Sequence, residues 1–300
     1  MPWSNTRYKI KYMAVAALAV VCLFYVYQIY SLSRPLQVIF LNVGQGDSIL
    51  IQKGVKQILI DGGSSGKVEL AELGEYLPYF DREIEIVIVT HPDRDHIGGL
   101  IDVARNYKIG KVLETAAEKD TAIFKEWQEV LDFNKVGKLD ATSGDEIKFS
   151  DASLKIIYPQ SKVDSSSGDA NNKSIVSRLD YGGSSFLFTG DIESPAEREI
   201  LERGENVDID FLKIAHHGSK YSSSEEFLNA ASPKEAIISV GANNSYGHPT
   251  EAVLEALREK NIRILRTDES GDIEFICEAE NSPPKADQPL AEKCKVQSSK

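Results

Sequence analysis

The apolar and polar positions of this 300-residue chain alternate between short strand-like runs and segments with helical periodicity. Residues 38–52 and 56–61 predict two strands that form a hairpin near Gly54. Further strands are predicted over residues 84–89, 111–115, 175–181, 185–189, 211–215, 236–240 and 263–266, and helices over residues 68–80, 97–107, 121–134, 195–203, 224–231 and 250–260. Strands that alternate with helices in both halves of the chain indicate an α/β fold.

Two segments lack any such pattern. Residues 160–171 contain the run Ser165-Ser166-Ser167-Gly168 and no apolar periodicity, which predicts a mobile loop. This loop is either a flap over a substrate site or a neutral surface insertion. Residues 279–300 contain Pro283-Pro284 and many polar side chains, and they predict a disordered tail. No compositional break divides residues 36–278, so they are expected to form one domain.

The N-terminal segment differs from the rest of the chain because it is long and uncharged. Residues 13–32 carry no charge, and a helix of this length spans about 30 Å, the thickness of one bilayer core. Arg7, Lys9 and Lys11 precede it, so the positive-inside rule places residues 1–12 in the cytoplasm and the following domain outside. The prediction is a single-pass membrane anchor. A cleaved signal peptide, which would leave a secreted protein, and a buried core helix are the alternatives.

The cysteines give one further indication of the compartment. Cys22 lies in the uncharged segment, which leaves Cys277 and Cys294 in the rest of the chain. This pair has two interpretations, a disulfide formed in an oxidising compartment or two free thiols.

The charge balance limits the kinds of partner. The formal net charge is −12 at pH 7, and the basic residues are scattered along the chain. Nucleic-acid-binding domains typically carry a basic face, and single-strand binders combine basic residues with aromatic side chains that stack on bases. Neither pattern is visible here. A broad duplex-binding surface is therefore disfavoured, and a small phosphate-binding mouth remains compatible with the sequence.

The densest group of candidate metal ligands is the run His91-Pro92-Asp93-Arg94-Asp95-His96-Ile97-Gly98-Gly99, directly after residues 84–89. It places two imidazoles and two carboxylates on one strand-to-helix turn, although the whole chain has only five histidines. Nitrogen and oxygen donors of this kind suit Zn²⁺ or Mn²⁺. A polar loop with solvated histidines is the alternative interpretation. We favour the metal site.

Later segments offer ligands for a second metal ion. Residues 185–189 end in Gly190-Asp191, and a carboxylate at that strand end could bridge two ions about 3.5–4 Å apart. The remaining candidates are also found at predicted strand ends or just before a predicted helix, namely Asp61, His216, His217 and His248. One edge of the fold could therefore gather all of these side chains.

The motifs resemble those of the metallo-β-lactamase superfamily, and most closely the hydrolase domain of the ComEC/Rec2 DNA-uptake proteins and their free-standing relatives. Seven segments match in family order: Leu41-Asn42-Val43-Gly44-Gln45-Gly46-Asp47-Ser48, Ile60-Asp61-Gly62-Gly63, residues 91–99, Asn171-Asn172-Lys173-Ser174-Ile175-Val176, Thr189-Gly190-Asp191-Ile192-Glu193, His216-His217-Gly218-Ser219 and Gly247-His248-Pro249. The resemblance implies an αββα four-layer sandwich with its metal loops along one shared edge.

The resemblance also implies roles for individual residues. Six side chains would bind two divalent metal ions: His91 and Asp93 the first, Asp95, His96 and His216 the second, with Asp191 as the bridge. Asp61 would hold the histidine loop in place by hydrogen bonding. His248 would donate a proton or contact substrate, and His217 would be either a ligand or a structural neighbour.

The chain departs from the usual superfamily pattern at two positions. Asp93 stands where most members have histidine, a substitution that the ComEC/Rec2 subfamily shares. The histidine usually found before the strand of Asp191 is missing, and Asn171 or Asn172 occupies that stretch. A site with more oxygen and less imidazole shifts the preference from tightly bound Zn²⁺ towards Mn²⁺ or a loosely held pair of ions.

The expected function is that of a membrane-anchored, outward-facing, metal-dependent phosphodiesterase, and the resemblance implies single-stranded DNA as its substrate. Asp95 or Asp191 would orient the attacking water, and His248 or Lys213 would stabilise developing charge or protonate the leaving oxygen. A hydrolase of small molecules such as phosphocholine esters, lactones or lactams is the first alternative, which the acidic charge favours. A non-catalytic binding protein stabilised by metal is the second.

Overall fold

The computed structural model describes residues 3–32, 34–115, 117–149, 151–161, 169–279 and 294–299. Its strands are β1 (Leu36–Phe40), β2 (Ile49–Lys53), β3 (Lys56–Ile60), β4 (Glu83–Val89), β5 (Lys108–Glu114), β6 (Gly137–Asp140), β7 (Glu146–Phe149), β8 (Ala152–Tyr158), β9 (Val176–Tyr181), β10 (Ser184–Phe188), β11 (Phe211–Lys213), β12 (Glu235–Ile238), β13 (Arg263–Arg266), β14 (Ile273–Cys277) and β15 (Cys294–Ser298). Its helices are α1 (Trp3–Leu32), α2 (Gly66–Tyr76), α3 (Arg94–Asn106), α4 (Ala122–Phe133), α5 (Ser194–Glu202), α6 (Glu225–Ala231), α7 (Glu251–Glu259) and α8 (Thr267–Ser270). Short 3₁₀ turns cover Asn171–Lys173 and Ala215–Gly218.

Two sheets face each other and carry helices on their outer surfaces. The first sheet has the strand order β15-β14-β1-β2-β3-β4-β5-β6, and the second has the order β13-β12-β11-β10-β9-β8-β7. Apolar side chains from both sheets, including Phe40, Leu154 and Phe275, form the core between them. Separate clusters of buried side chains join the first sheet to α2, α3 and α4, and the second sheet to α5, α6 and α7. The expected αββα arrangement of the domain is confirmed.

Parallel strands bring the predicted metal loops to one edge. Strands β3 to β6 run parallel in the first sheet, and strands β10 to β13 run parallel in the second. The carboxyl ends of parallel strands meet at the same edge of a sheet, which is where α/β folds bind their ligands. The candidate residues that follow such strands are Asp61 after β3, His91 after β4, Asp191 after β10 and His217 after β11.

The strand predicted over residues 38–52 is divided into two antiparallel strands, β1 and β2. The loop between them turns at Gly44 (φ 77°) and Gly46 (φ 125°), backbone conformations that favour glycine. A Cβ at position 46 would lie 2.0 Å from the backbone oxygen of Asp95. The loop therefore packs directly against the turn that carries Asp95, and it brings Asp47, which is 1% exposed, into the site.

The middle of the domain and the C-terminal part of the chain also differ from the sequence-based expectations. Strands β6, β7 and β8 form where no element was predicted. Strand β15 lies in the predicted disordered tail, so that prediction is wrong for residues 294–298, which pair with β14 at the sheet edge. A disulfide joins Cys277 and Cys294, the directly opposed residues of these two strands. Residues 280–293 of the tail and residues 162–168 of the predicted mobile loop lie outside the described residues.

Helix α1 covers the predicted membrane anchor. Within the part of the chain that the structure describes, no helix combines the length and the apolar character that a membrane crossing requires. The transmembrane helix predicted over residues 13–32 is therefore not supported.

Candidate metal centre

The first histidine loop, residues 90–96, joins β4 to α3. Helix α3 begins at Arg94, with Asp93 in the N-cap position, and its apolar face packs on the first sheet. This tight connection buries His91 and His96, which are 1% and 0% exposed, and places their ring centres 4.0 Å apart. The two imidazoles that the sequence singled out here are thus adjacent and shielded from solvent.

Asp61 holds this loop from the end of β3. It adopts a left-handed conformation (φ 58°) and is fully buried. It accepts hydrogen bonds from the backbone N–H and the hydroxyl of Thr90 at 2.8 and 2.6 Å, and its Oδ2 lies 2.8 Å from Nδ1 of His96. A carboxylate that engages one imidazole nitrogen directs the other nitrogen towards a ligand. This placement matches the supporting role expected of Asp61.

Asp191 is the point on which three imidazoles converge. Its Oδ2 lies 3.2 Å from Nε2 of His96, 3.4 Å from Nε2 of His217 and 4.0 Å from Nε2 of His91. The backbone N–H of Asp191 donates to the hydroxyl of Ser174, which also lies 3.3 Å from Nδ1 of His91. The carboxylate expected to bridge two metal ions therefore sits at the centre of the cluster.

The second histidine loop, residues 214–219, follows β11. His216 (φ 49°, ψ 45°) and His217 (φ 53°, ψ 22°) are both left-handed, so the backbone turns sharply between them and their side chains diverge. His217 is 2% exposed and points its Nε2 at Oδ2 of both Asp95 and Asp191, 3.4 Å from each. It is therefore the histidine of this loop that joins the cluster.

His216 lies outside the cluster, although it was the residue expected to complete the second metal site. Its Nδ1 is 3.3 Å from Oε1 of Glu193, and its ring centre is 5.5 Å from that of His248. Its side chain is 22% exposed. The sequence offered His217 as either a ligand or a neighbour, and it is the nitrogen of His217 that lies among the converging carboxylates. The adjacent pair could not be separated by sequence because the choice depends on the left-handed backbone.

The hydrogen bonds of His217 fix which nitrogen carries the proton. Its Nδ1 lies 2.8 Å from the backbone oxygen of Ser239, and a carbonyl can only accept, so Nδ1 donates. Nε2 therefore faces the carboxylates of Asp95 and Asp191, and although burial lowers the pKa of His217, these two carboxylates raise it above its ordinary value. A lone pair directed at two anions is repelled unless a proton or a metal ion lies between them.

Burial and neighbouring charges shift the pKa values of the site in opposite directions. Burial, together with the nearby His96, lowers the pKa of His91 well below its ordinary value. Burial alone would lower the pKa of His96 as well, but Asp191 and Asp61 raise it well above the ordinary value. Burial favours protonation of Asp191, yet His217 and His96 hold its pKa well below the usual range. The carboxylates of this site therefore require cationic partners among them.

The donor set fits divalent metal ions. Several buried atoms lack a hydrogen-bond partner among the described residues: Nε2 of His91, Nε2 of His217, Oδ1 of Asp191 and Oδ1 of Asp47. Groups of side chains bring potential ligand atoms within 4.8 Å of one another: His91 with His96 and Asp191, Asp95 with His96 and His217, and Asp47 with Asp191 and His217. Imidazole and carboxylate donors suit Zn²⁺ or Mn²⁺. Because Asp191 and His96 each belong to two of these groups, the side chains could hold two adjacent ions.

Lys213 and Asp47 form a buried ion pair behind the cluster, and each is 1% exposed. The Lys213 ammonium donates to the backbone oxygen of Gly190 at 2.9 Å and lies 3.7 Å from Oδ1 of Asp191. Oδ1 of Asp47 lies 3.5 Å from Nδ1 of His217. The Lys213 ammonium, expected to stabilise developing charge or protonate a leaving oxygen, is thus buried between Asp47 and Asp191. The sequence analysis assigned no role to Asp47. The neighbouring glycines, Gly44 and Gly46, were the sequence feature that could have indicated a tight loop at the site.

A cavity of about 110 Å³ opens onto the cluster. It is lined by Gln45, Asp93, Asp95, Asn171, Asp191, His216, His217, Tyr246 and His248. His248 lies at its rim, where burial and the nearby His216 and His217 lower its pKa. Tyr246 is 67% exposed and stacks on His248, with the ring centres 5.9 Å apart and the planes 26° from parallel. Sequence patterns did not single out Tyr246.

The remaining predicted residues divide between the cavity and the surrounding framework. Asp93 lines the cavity, where its carboxylate pairs with Lys119, and it joins none of the converging groups among the described residues. Asn171 also lines the cavity. Asn172 does not, because its side-chain oxygen accepts from the backbone N–H of Glu193 and its amide donates to Asp169.

Comparison with known proteins places these motifs in a family. Residues 41–242 match the model of the metallo-beta-lactamase superfamily. The chain is 32% identical over 267 residues to ComE operon protein 3 of Bacillus subtilis, covering 81% of this chain and 33% of that protein. It is 33% identical over 247 residues to recombination protein 2 of Haemophilus influenzae, covering 81% of this chain and 29% of that protein. The chain thus spans about a third of the length of these relatives.

A solved structure shares the fold. The metallo-beta-lactamase fold protein YhfI from Bacillus subtilis superposes with a TM-score of 0.53 at 14% identity, covering 78% of this chain and 96% of that one. The family match covers most of the domain, and the residues it spans include both histidine loops and Asp191. The chain therefore belongs to the metallo-beta-lactamase superfamily, with homologues among proteins of the ComEC/Rec2 type.

Proposed function

We propose that this superfamily hydrolase is a metal-dependent phosphodiesterase that cleaves single-stranded DNA. The observation that carries the proposal is the convergence of three imidazole nitrogens, from His91, His96 and His217, on one oxygen of Asp191. Such a centre would hold one or two ions of Zn²⁺ or Mn²⁺ through the donors described above. The DNA substrate is what the resemblance to the ComEC/Rec2 DNA-uptake proteins implies; two relatives are named competence protein ComA, from Neisseria gonorrhoeae, and recombination protein 2.

The metal ion and the side chains of the centre would have different chemical roles. A divalent ion bound there would polarise a phosphoryl oxygen and lower the pKa of nearby water. Asp95 is 29% exposed towards the cavity. Burial favours its protonation, but its contact with His217 and the charge of His96 hold its pKa below the usual range. It is therefore an ionised carboxylate at neutral pH, placed to orient an attacking water and accept its proton.

The shape of the site supports a polymeric substrate. Pockets that enclose small ligands typically measure about 300–1,000 Å³. The cavity here, about 110 Å³, has room for a phosphodiester group but not for a whole enclosed small molecule. Tyr246 at its rim presents an exposed aromatic face, on which a neighbouring base can stack. A strand of nucleotides would thus place one phosphate in the cavity and its bases outside.

A small-molecule ester hydrolase is the second candidate. The formal net charge of −12 repels a polyanion and favours a small or cationic ester such as a phosphocholine ester. The same metal chemistry would serve both substrates, so the two candidates differ in what the rim of the cavity recognises.

The compartment is a separate part of the proposal. The disulfide between Cys277 and Cys294 favours an oxidising environment, because cytosolic thiols are kept reduced. We therefore propose that the domain acts outside the cytoplasm, as the sequence analysis expected. This argument does not depend on residues 13–32.

The test is cleavage of end-labelled single-stranded DNA by the full chain with Mn²⁺ or Zn²⁺. Asp191→Asn should reduce cleavage by more than about 100-fold while the chain stays folded, since losing a direct ligand exceeds the cost of losing an outer partner. Asp132→Asn is the matched control, because Asp132 is 71% exposed and pairs with Lys138 on the surface. It should cleave like the parent chain.

Two results would redirect the proposal. Hydrolysis of a chromogenic small phosphodiester without cleavage of DNA would favour the second candidate. If neither substrate is hydrolysed and Asp191→Asn unfolds in metal-containing buffer, the metal serves structure, and the chain is a binding protein.

A further inference from the structure

Asp93 differs from the other carboxylates of the cavity because it pairs with a partly exposed ammonium, whereas Lys213, the ammonium near Asp191, is buried. Its Oδ1 pairs with the ammonium of Lys119, which extends from the loop between β5 and α4. Asp93 lines the cavity, and Lys119 pairs with it from outside this lining; the two side chains are 27% and 35% exposed. Asp95 and Asp191 contact histidine nitrogens instead.

This pairing makes the two potential metal positions unequal. One position has Asp95, His96 and His217 around it, with Asp191 beside them. The other has His91 and Asp191, together with His96, which the first position shares. Asp93 lies two residues after His91 in the same loop and could supply a carboxylate of its own to this second position. An ammonium and a divalent ion compete for one carboxylate, because each must neutralise the same charge.

We infer that, in the absence of substrate, the ammonium of Lys119 pairs with the carboxylate of Asp93. This pairing keeps Asp93 from binding a metal ion at the second position. The inference rests on the proposed function of the centre. The domain then holds one divalent ion firmly beside Asp95 and His217. It binds a second ion firmly only when Lys119 is drawn away from Asp93.

A phosphate group of the substrate is suited to release Lys119. Lysine binds phosphate as a mobile point charge, and the partly exposed ammonium of Lys119 pairs with a carboxylate that lines the cavity. When the ammonium pairs with the entering phosphate, the freed carboxylate of Asp93 can neutralise a second divalent ion. Charges stay balanced throughout, and no covalent bond changes. The second ion would thus be recruited together with a phosphodiester substrate.

The test measures Mn²⁺ binding to the full chain by titration calorimetry. The parent chain should show one tight site and a second site that is weaker by at least about tenfold, which corresponds to about 1.4 kcal/mol. Lys119→Met should tighten the second site by about tenfold or more, since it removes a competing charge within a few ångströms. Lys119→Arg keeps the charge and should behave like the parent chain. Lys125→Met is the matched control, because Lys125 is 65% exposed and pairs with Asp120.

A second titration tests the role of substrate. A phosphorothioate oligonucleotide that resists cleavage should tighten the second site of the parent chain and have little further effect on Lys119→Met. Melting curves followed by circular dichroism should show that all variants are folded.

The possible results separate this inference from the proposed function. An intact tight site with an unchanged second site in Lys119→Met would overturn the role of Lys119 and leave the metal centre standing. Failure of the parent chain to bind any Mn²⁺ or Zn²⁺ would overturn both.

Discussion

The two histidine loops deliver imidazoles to the same carboxylate by different structural means. In the first loop, residues 90–96, His96 lies in the first turn of α3 and is held by the side chain of Asp61. In the second loop, residues 214–219, His217 is oriented by a left-handed backbone and by the carbonyl of Ser239. One loop depends on a replaceable side chain and the other on the main chain. This difference explains why the first was easy to interpret from sequence and the second was not.

Two buried glutamates, one in each half of the domain, differ in the groups that donate hydrogen bonds to them. Glu69 of α2 is fully buried near the first loop, where it accepts a hydrogen bond from the hydroxyl of Ser48 at 2.9 Å. Glu197 of α5 accepts from the backbone N–H groups of Ser223 and Ser224, just beyond the second loop, at 2.5 and 2.9 Å. The first glutamate meets a neutral hydroxyl, whereas the second meets two main-chain donors.

The largest effect is expected from removing one of the two adjacent histidines, His217, and the same change at His216 provides the comparison. His217→Ala removes a nitrogen of the cluster and should weaken Mn²⁺ binding by more than about 100-fold, beyond the 10–100-fold cost of an outer partner. His216→Ala, whose ring contacts Glu193 and His248, should leave the affinity nearly unchanged. Titration calorimetry measures both. A larger loss in His216→Ala than in His217→Ala would contradict the assignment.

A smaller effect is expected where the two loops differ in their support. Asp61→Asn weakens the hold on His96 and should reduce metal affinity by about 10–100-fold. Asparagine tolerates the left-handed conformation of position 61, so the fold should persist. Ser239→Ala is the matched change in the second loop. It should have no effect, because His217 contacts the backbone carbonyl of Ser239. Equal losses of metal affinity in both variants would show that the two loops do not differ in how their histidines are held.

An effect of another kind, on stability and its pH dependence, is expected from the two buried glutamates. Burial raises the pKa of Glu69 from 4.5 to about 8 in the folded protein. The folded state therefore binds more protons than the unfolded state between these values, and its stability falls as pH rises from about 4.5 to about 8. Glu69→Gln removes this dependence and should be more stable than the parent chain at pH 8.5. Urea unfolding at pH 5.5, 7 and 8.5 measures it.

Glu197→Gln provides the contrast within the same experiment. It replaces an acceptor of two backbone N–H groups by a weaker one and should lower the free energy of unfolding by about 1–3 kcal/mol, the cost of poorly satisfied buried donors. A stabilising effect of this substitution at pH 8.5, like that of Glu69→Gln, would show that the two glutamates have the same environment.

Much of the fold could be predicted because its signals are local. The apolar runs that became β4, β10 and β12, and the helical periodicity of α3 and α7, lie close to their predicted ranges. The predicted strand over residues 38–52 was too long, because the chain turns at Gly44 and Gly46, and Gly46 packs against the backbone of Asp95. Strand β15 was missed because its pairing depends on β14 and on the disulfide.

The candidate site was predicted in part for the same reason. His91, His96 and Asp191 were recognised as donors at strand ends, and the structure brings them together. Asp47 and Tyr246 were not assigned roles. Asp47 becomes important only through its ion pair with Lys213, and Tyr246 only through its position at the rim of the cavity.

The sequence by itself determined the kind of chemistry at this edge of the fold, because the type of each donor and its place at the end of an apolar run are local properties. The tertiary structure decided which donors meet. His96 and Asp191 are 95 residues apart in the chain, and their contact requires two sheets to face each other. The choice between His216 and His217 depends on backbone angles that neighbouring elements impose, and residue type alone does not encode them.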